Sequence, residues 1–201
     1  MGKPVAKNWY LRSDVVQLAQ EVLGKRLLTR FNGQLTSGII TEAEAYAGET
    51  DKASHAWNGR RTARTEPMYA EGGVAYVYLC YGIHHLFNIV TNVRGVPHAI
   101  LIRGIQPEQG IATMQQRRRH NGPLHKLAAG PGTVSQALGI HTSHTGMSLR
   151  TGEIRLEETG IRIDPAQIVA GPRVGVDYAA EHALLPWRFR IKGGSLPIAA
   201  M

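Results

Sequence analysis

The chain has 201 residues, 43% of them hydrophobic, with a formal charge of +8 and an isoelectric point of about 9.9. That length and composition suit one domain with a buried core and exclude a predominantly disordered chain. The only cysteine, Cys80, excludes an internal disulfide and fits a reducing cytoplasm, no run is apolar enough to span a bilayer, and residues 1–12 lack the apolar stretch of a secretory signal.

The elements follow in chain order. Ser13 is a candidate cap for a helix through Leu23, with Val15, Val16, Ala19, Val22 and Leu23 on its buried stripe and Gly24 as its stop. Leu27–Phe31 reads as a strand, Asn32-Gly33 as a hairpin turn, and Gln34–Tyr46 as the return strand. Residues 47–73 are polar and rich in Gly, Thr and Arg, the composition of a functional loop. Val74–Cys80 and Leu86–Asn92 read as strands joined by a tip at residues 81–85, and His98–Ile105 as a further strand. Pro107 suits the first turn of a helix to about Arg118, residues 120–126 form a loop, and Gly130-Pro131-Gly132 opens a short helix. Beyond Thr151 the chain reads as short strands and turns, ending in Trp187–Ile191. Many strands with few helices predict an α+β fold with a mainly antiparallel sheet.

Excess positive charge is the footprint of a polyanion binder, because each Lys or Arg near a phosphate displaces a counterion. A merely soluble basic protein has the same composition. Three features narrow the choice. Side chains alternate along a strand, so Glu42, Glu44 and Tyr46 share one face. Two such carboxylates could be an acid/base pair, one catalytic group with a structural partner, or a solvated strand face. Tyr76 and Tyr78 also share a face, and Tyr81 stands at a turn, where an aromatic either folds into the core or inserts into a base stack. Arg60, Arg61 and Arg64 form a basic loop suited to a phosphate backbone or simply to solvent, whereas Arg117-Arg118-Arg119 already has a structural reason at a helix C-terminus. No CxxC, HExxH, GxGxxG or P-loop occurs, and adjacent His84 and His85 would point opposite ways on a strand, so neither metal nor cofactor is expected.

Five segments in order carry a family likeness: Glu42-Ala-Glu-Ala-Tyr46, Ala75–Gly82, Asn88-Ile-Val-Thr91, Gly130-Pro-Gly132 with Gln136–Gly139, and Pro172–Tyr178 with Leu184–Arg188. Together, from Tyr10 to Gly193, the chain resembles the alkyladenine (3-methyladenine) DNA glycosylases. The resemblance implies a single compact α+β domain over 1–201, with a curved antiparallel sheet, flanking helices and a protruding β-hairpin. It implies a monomeric, cofactor-free bacterial cytoplasmic enzyme of base excision repair, acting on double-stranded DNA that contains damaged purines. By matched position, Glu44 would be the general base and Arg103 would help hold the water. Tyr46, His55 and Tyr78 would sandwich the extruded base, and Asn88 would stand near the purine 2-position. Tyr81 would fill the gap left in the duplex, with Arg60, Thr62, Arg64, Ile83 and His84 on the backbone or groove. Three departures stand out: Thr133 where a lysine is common, Ala56 where a serine is common, and residues 194–198 without the usual aromatic ending.

Overall fold

The computed structural model describes residues 2–194 and 196. Met1, Ser195 and residues 197–201 fall outside them, and with them the ends of the expected 1–201 domain and most of the 194–198 segment. The order of elements is β1 (Lys3–Pro4), α1 (Lys7–Tyr10), α2 (Val15–Glu21), β2 (Arg26–Phe31), β3 (Gln34–Tyr46), β4 (Ala75–Cys80), β5 (His84–Thr91) and β6 (His98–Gln109). Then come α3 (Ile111–Arg118), α4 (Pro131–Leu138), β7 (Ile154–Glu158), β8 (Ile168–Gly171) and β9 (Arg188–Ile191). The fold is α+β, and every strand pair is antiparallel.

The sheet runs β1-β7-β2-β3-β6-β5-β4, with β8 and β9 joined to it through β3. Strand β3 is the hub. One edge pairs with β6 from Ser37 to Tyr46. The other pairs first with β2, from Gln34 to Ile39, and then with β9, from Glu42 to Glu44. Register shifts around Glu42 mark a bulge, which sharpens the local twist where the site lies. Leu18, Ala19 and Val22 of the α2 region, Met114 of α3 and Val134, Ala137 and Leu138 of α4 share one core with Ile40, Phe87, Ile89, Ile100 and Ile102 of the sheet. Each such fully buried Leu, Ile or Phe contributes roughly 1.5–3 kcal/mol.

Some local expectations are corrected. The Asp14 side chain, not Ser13, caps α2, by accepting the Gln17 N–H at 2.9 Å. That helix ends at Glu21, before Leu23. Pro107 does not start a helix: β6 runs on to Gln109 and Pro107 pairs with Gly38 beside a register shift, a position that spares a proline the missing N–H. Helix α3 starts only after Gly110, whose φ of 70° and whose crowding by the Leu35 carbonyl demand glycine. The hairpin tip is shorter than read, because strand pairing zips up to Cys80–His84 and leaves only residues 81–83.

Candidate active site

A cavity of about 280 Å³ opens against the β4–β5 hairpin, and its walls include Tyr46, His55, Tyr76, Tyr78, Asn88, Arg103, Val174 and Tyr178. Three of these come from the two paired strands and two from the neighbouring β3 and β6. The remaining walls come from the 47–73 loop and from the turn after β8.

Glu44 lies behind this wall and is fully buried. Its Oε2 accepts the Tyr46 hydroxyl proton at 2.8 Å, and its Oε1 accepts the Val174 N–H at 2.9 Å. Arg103 forms an ion pair to Oε1 at 3.3 Å through Nη1. All three partners line the cavity. Burial raises the Glu44 carboxyl above its ordinary value, and Arg103, the Val174 amide and Tyr46 oppose the rise only in part. Burial and the Glu44 charge likewise push the Tyr46 phenol up, so it stays a neutral donor. Glu42 shares the face but not the situation. Its Oε1 accepts both Arg103 Nε at 2.9 Å and Arg188 Nε at 2.7 Å. Two arginines commit Glu42 to holding Arg103 in place, which leaves no free second carboxyl for an acid/base pair.

The aromatic walls come together as the alternation of β4 requires. His55 meets Tyr78 edge-on, with ring centroids 4.6 Å apart, and its Nδ1 lies 2.9 Å from the Tyr76 hydroxyl. Burial, helped by Arg64 and Arg60, lowers the His55 pKa to about 4, so the ring is neutral near pH 7. A neutral imidazole does not repel a cationic guest. Asn88 is nearly buried, and its Nδ2 donates to the carbonyls of Tyr76 and Leu86 at 3.1 and 3.2 Å. The amide is thereby anchored by its nitrogen end.

Tyr81 does not fold into the core. It is 89% exposed, and Ile83 beside it is 71% exposed. Tyr81 and Gly82 adopt φ of 50° and 73°, and the Ile83 N–H closes the turn on the Cys80 carbonyl at 3.1 Å. The left-handed region costs a bulky aromatic roughly 1–2 kcal/mol. A strained, solvated tyrosine is what a tip keeps for something other than packing. His84 stands against Gly132 at the start of α4, where a Cβ would come within 3.1 Å of the ring.

In the basic loop the arginines divide. Arg61 is paired with Glu66 through two bonds of 2.7 Å and lies over Tyr69. Arg64 lies over Tyr78 at 5.3 Å. Among the described residues neither Arg60 nor Arg64 meets a carboxylate. Thr62 donates its N–H to Thr65 Oγ1, which donates in turn to the Arg60 carbonyl, and the loop is shaped by these bonds. Away from the site, Arg117 and Arg118 are spent on the carbonyls of Ala137 and Leu127. Of the departures, Thr133 donates its hydroxyl to the Gly130 carbonyl at 2.8 Å and offers no reaching cation. Ala56 is fully buried in an apolar cluster with Met68, Tyr69, Tyr76, Val90 and Ala99, where a serine hydroxyl would gain nothing.

Sequence reading assigned no role to Val174, Tyr178, Asp51 or Arg173. The segment 172–178 was part of the family likeness, but a backbone N–H carries no sequence signal, and Asp51 was one polar residue in a polar loop.

A sequence model of the methylpurine-DNA glycosylase family matches residues 8–195. A protein of Chlamydia felis is 48% identical over 184 residues, covering 91% of this chain and 93% of its own. One of Chlamydia abortus is 47% identical, covering 91% and 95%, and one of Bacillus cereus is 40% identical over 192 residues, covering 92% and 94%. All three carry the name "Putative 3-methyladenine DNA glycosylase".

Proposed function

The chain belongs to the methylpurine-DNA glycosylase family, hydrolases of the N-glycosidic bond in DNA repair, and from that premise we propose that it extrudes alkylated or deaminated purines from duplex DNA and releases them with a water activated by Glu44. The observation that carries this reading is the placement of a wholly buried, hydrogen-bonded carboxylate behind an aromatic cavity beside an exposed tyrosine tip. An enzyme cannot reach a glycosidic bond inside a base stack, so the nucleotide must leave the duplex. Tyr81 enters the vacated position while Ile83 and His84 meet the groove, and Arg60, Thr62 and Arg64 hold the phosphate backbone. The extruded base lies between Tyr46, His55 and Tyr78. Aromatic faces favour a cationic purine by roughly 0.5–2 kcal/mol per contact.

The water oxygen forms a bond to C1′ as the C1′–N9 bond breaks. The bonding pair goes to the purine, where it cancels the positive charge of an alkylated base or gives a neutral base as its anion, which solvent protonates. The water proton goes to Glu44. The carboxylate also stabilises the positive charge that develops on the sugar. Glu44 is closed to solvent, so the water must displace one of its partners. Arg103, the most distant of the three, is the one that yields, and its guanidinium then holds the water. The Asn88 amide, fixed by its nitrogen end, obstructs the 2-amino group of guanine. The protein acts as a monomer without a cofactor, in the bacterial cytoplasm. No helix among the described residues is long and apolar enough to cross a membrane.

The test is to incubate the protein with duplexes carrying 3-methyladenine, 7-methylguanine, hypoxanthine or 1,N6-ethenoadenine and to measure free base and abasic sites. Release that disappears in Glu44→Gln, with binding retained, is the expected result. Full release by that variant would overturn the assignment of Glu44.

A further inference from the structure

Behind Tyr46 lies a buried ion pair that the reaction as derived above does not use. Arg173 and Asp51 are both almost completely excluded from solvent. Arg173 Nη1 donates to Asp51 Oδ2 at 2.5 Å and Nη2 donates to Oδ1 at 2.8 Å, a two-pronged pair. The same guanidinium donates to the carbonyls of Ala45 and His182 at 2.9 and 3.1 Å. Asp51 also accepts the N–H groups of Ala47 and Ala53, at 3.2 and 3.0 Å. The pair therefore ties the end of β3, the loop that leads to His55, and the segment that supplies the Val174 N–H.

The pair also sits on the ring that faces the guest. The Arg173 guanidinium carbon is 4.8 Å from the Tyr46 centroid and 5.1 Å from that of Trp187. Tyr46 lines the cavity whereas Arg173 does not, so the ring stands between the guanidinium and the cavity. A ring whose far face already holds a cation attracts a second cation less well, since both draw on one quadrupole. Asp51 cancels that effect by closing on the guanidinium. Two further titratable groups stand near the pair. Burial raises the Tyr178 pKa, so that side chain stays a neutral phenol. His182, with Nδ1 3.6 Å from Asp51, accepts the Lys52 N–H there, so that nitrogen carries no proton.

We propose that the Asp51–Arg173 pair sets the charge preference of the base pocket: a neutralised guanidinium behind Tyr46 keeps the wall open to cationic purines. This rests on the functional reading above. Asp51 and Arg173 are positioning residues that act through Tyr46.

The test compares binding to duplexes carrying 7-methylguanine, a cation, with binding to duplexes carrying 1,N6-ethenoadenine, which is neutral. It is made in the Glu44→Gln background, so that chemistry does not consume the substrate. Asp51→Asn leaves the guanidinium uncompensated and lowers the cation-to-neutral affinity ratio on the order of tenfold. Arg173→Gln leaves the carboxylate uncompensated and raises the ratio. Arg173→Lys keeps the charge and loses the fork, so affinity falls for both lesions while the ratio holds. Combining Asp51→Asn with Arg173→Gln returns the ratio toward that of the parent. If Asp51→Asn does not fold, the opposite-signed shift in Arg173→Gln carries the test. A purely structural pair would lower both affinities together in every variant, and that outcome overturns the inference. Base release by the chain with Glu44 intact is measured alongside. Release with an unmoved ratio removes this inference alone, whereas no release from any lesion removes the functional reading and this one with it.

Discussion

The hairpin tip and the Glu44 corner lie on either side of one cavity and are built on opposite terms. At the tip, Tyr81 and Ile83 are exposed, the backbone is left-handed, and little but strand pairing holds the turn. At the corner, Glu44 is fully buried and both of its oxygens are engaged. The difference teaches where each residue's cost is carried. The tip is strained locally and contributes little to the fold, so its side chain can be changed at the expense of function alone. The corner is costly because it holds a charge away from water, so under the proposed role of Glu44 function and stability there have opposite signs.

The sharpest attempt to break this contrast is Glu44→Gln. Base release is expected to fall by at least about 10²–10⁴-fold, the range for loss of a positioned general base. The melting temperature should stay level or rise, since a buried charge is removed. Single-turnover release and a thermal melt test both halves, and a clearly destabilised variant would mean that the corner is held together by the carboxylate rather than strained by it. At the tip, Tyr81→Ser should weaken binding to damaged duplex roughly tenfold, as loss of one aromatic contact with bases does, without moving the melting temperature. Unchanged affinity in a titration would remove the wedge from the account.

Proton linkage separates the corner from the His55 wall of the same cavity. In its proposed role Glu44 acts ionised, so the acid limb of release should lie above the ordinary 4.5. Stability from the same group runs the other way: the folded chain holds the proton more tightly, so stability is gained as pH falls through the raised folded pKa toward 4.5. His55 opposes this, because its pKa is lowered from 6.5 to about 4. Its contribution is complete above pH 6.5 and is lost as pH falls toward 4, about 3 kcal/mol in all. Melts of the parent and of His55→Gln between pH 4 and 8 should differ in that window, and parallel curves would count against a buried neutral imidazole. The smallest effect belongs to the loop. Arg60→Ala and Arg64→Ala should each reduce the salt slope of DNA binding by about one, whereas Arg61→Ala, already paired with Glu66, should change it little. Equal slopes for all three would erase that division.

Much of this was readable from residues. Alternation along β3 and β4 placed Glu42, Glu44 and Tyr46 on one face and Tyr76 with Tyr78 on another, because a strand's period is fixed by its backbone. The Asn32-Gly33 turn appeared where positive φ was expected. Pro107 misled because its fixed φ suits both a helix start and a strand bulge, and only the partner at Gly38 decides between them. Choosing Glu44 over Glu42 needed the family likeness. The structural difference between the two carboxylates lies with Arg188, Val174 and Arg103, each far along the chain and without a local pattern. The Asp51–Arg173 pair was hidden for the same reason.

Strand β3 as hub has a consequence for the order of synthesis. Residues 42–46 and the hairpin emerge from the ribosome early, but Val174 lies 130 positions beyond Glu44, and Arg188 lies 146 beyond Glu42. Until those residues emerge, Glu44 has no amide to fix it and one edge of β3 stands open. A nascent chain therefore carries the tyrosine tip and the basic loop before it carries a finished carboxylate. Translation delivers the parts proposed to meet DNA first and completes the proposed catalytic corner last.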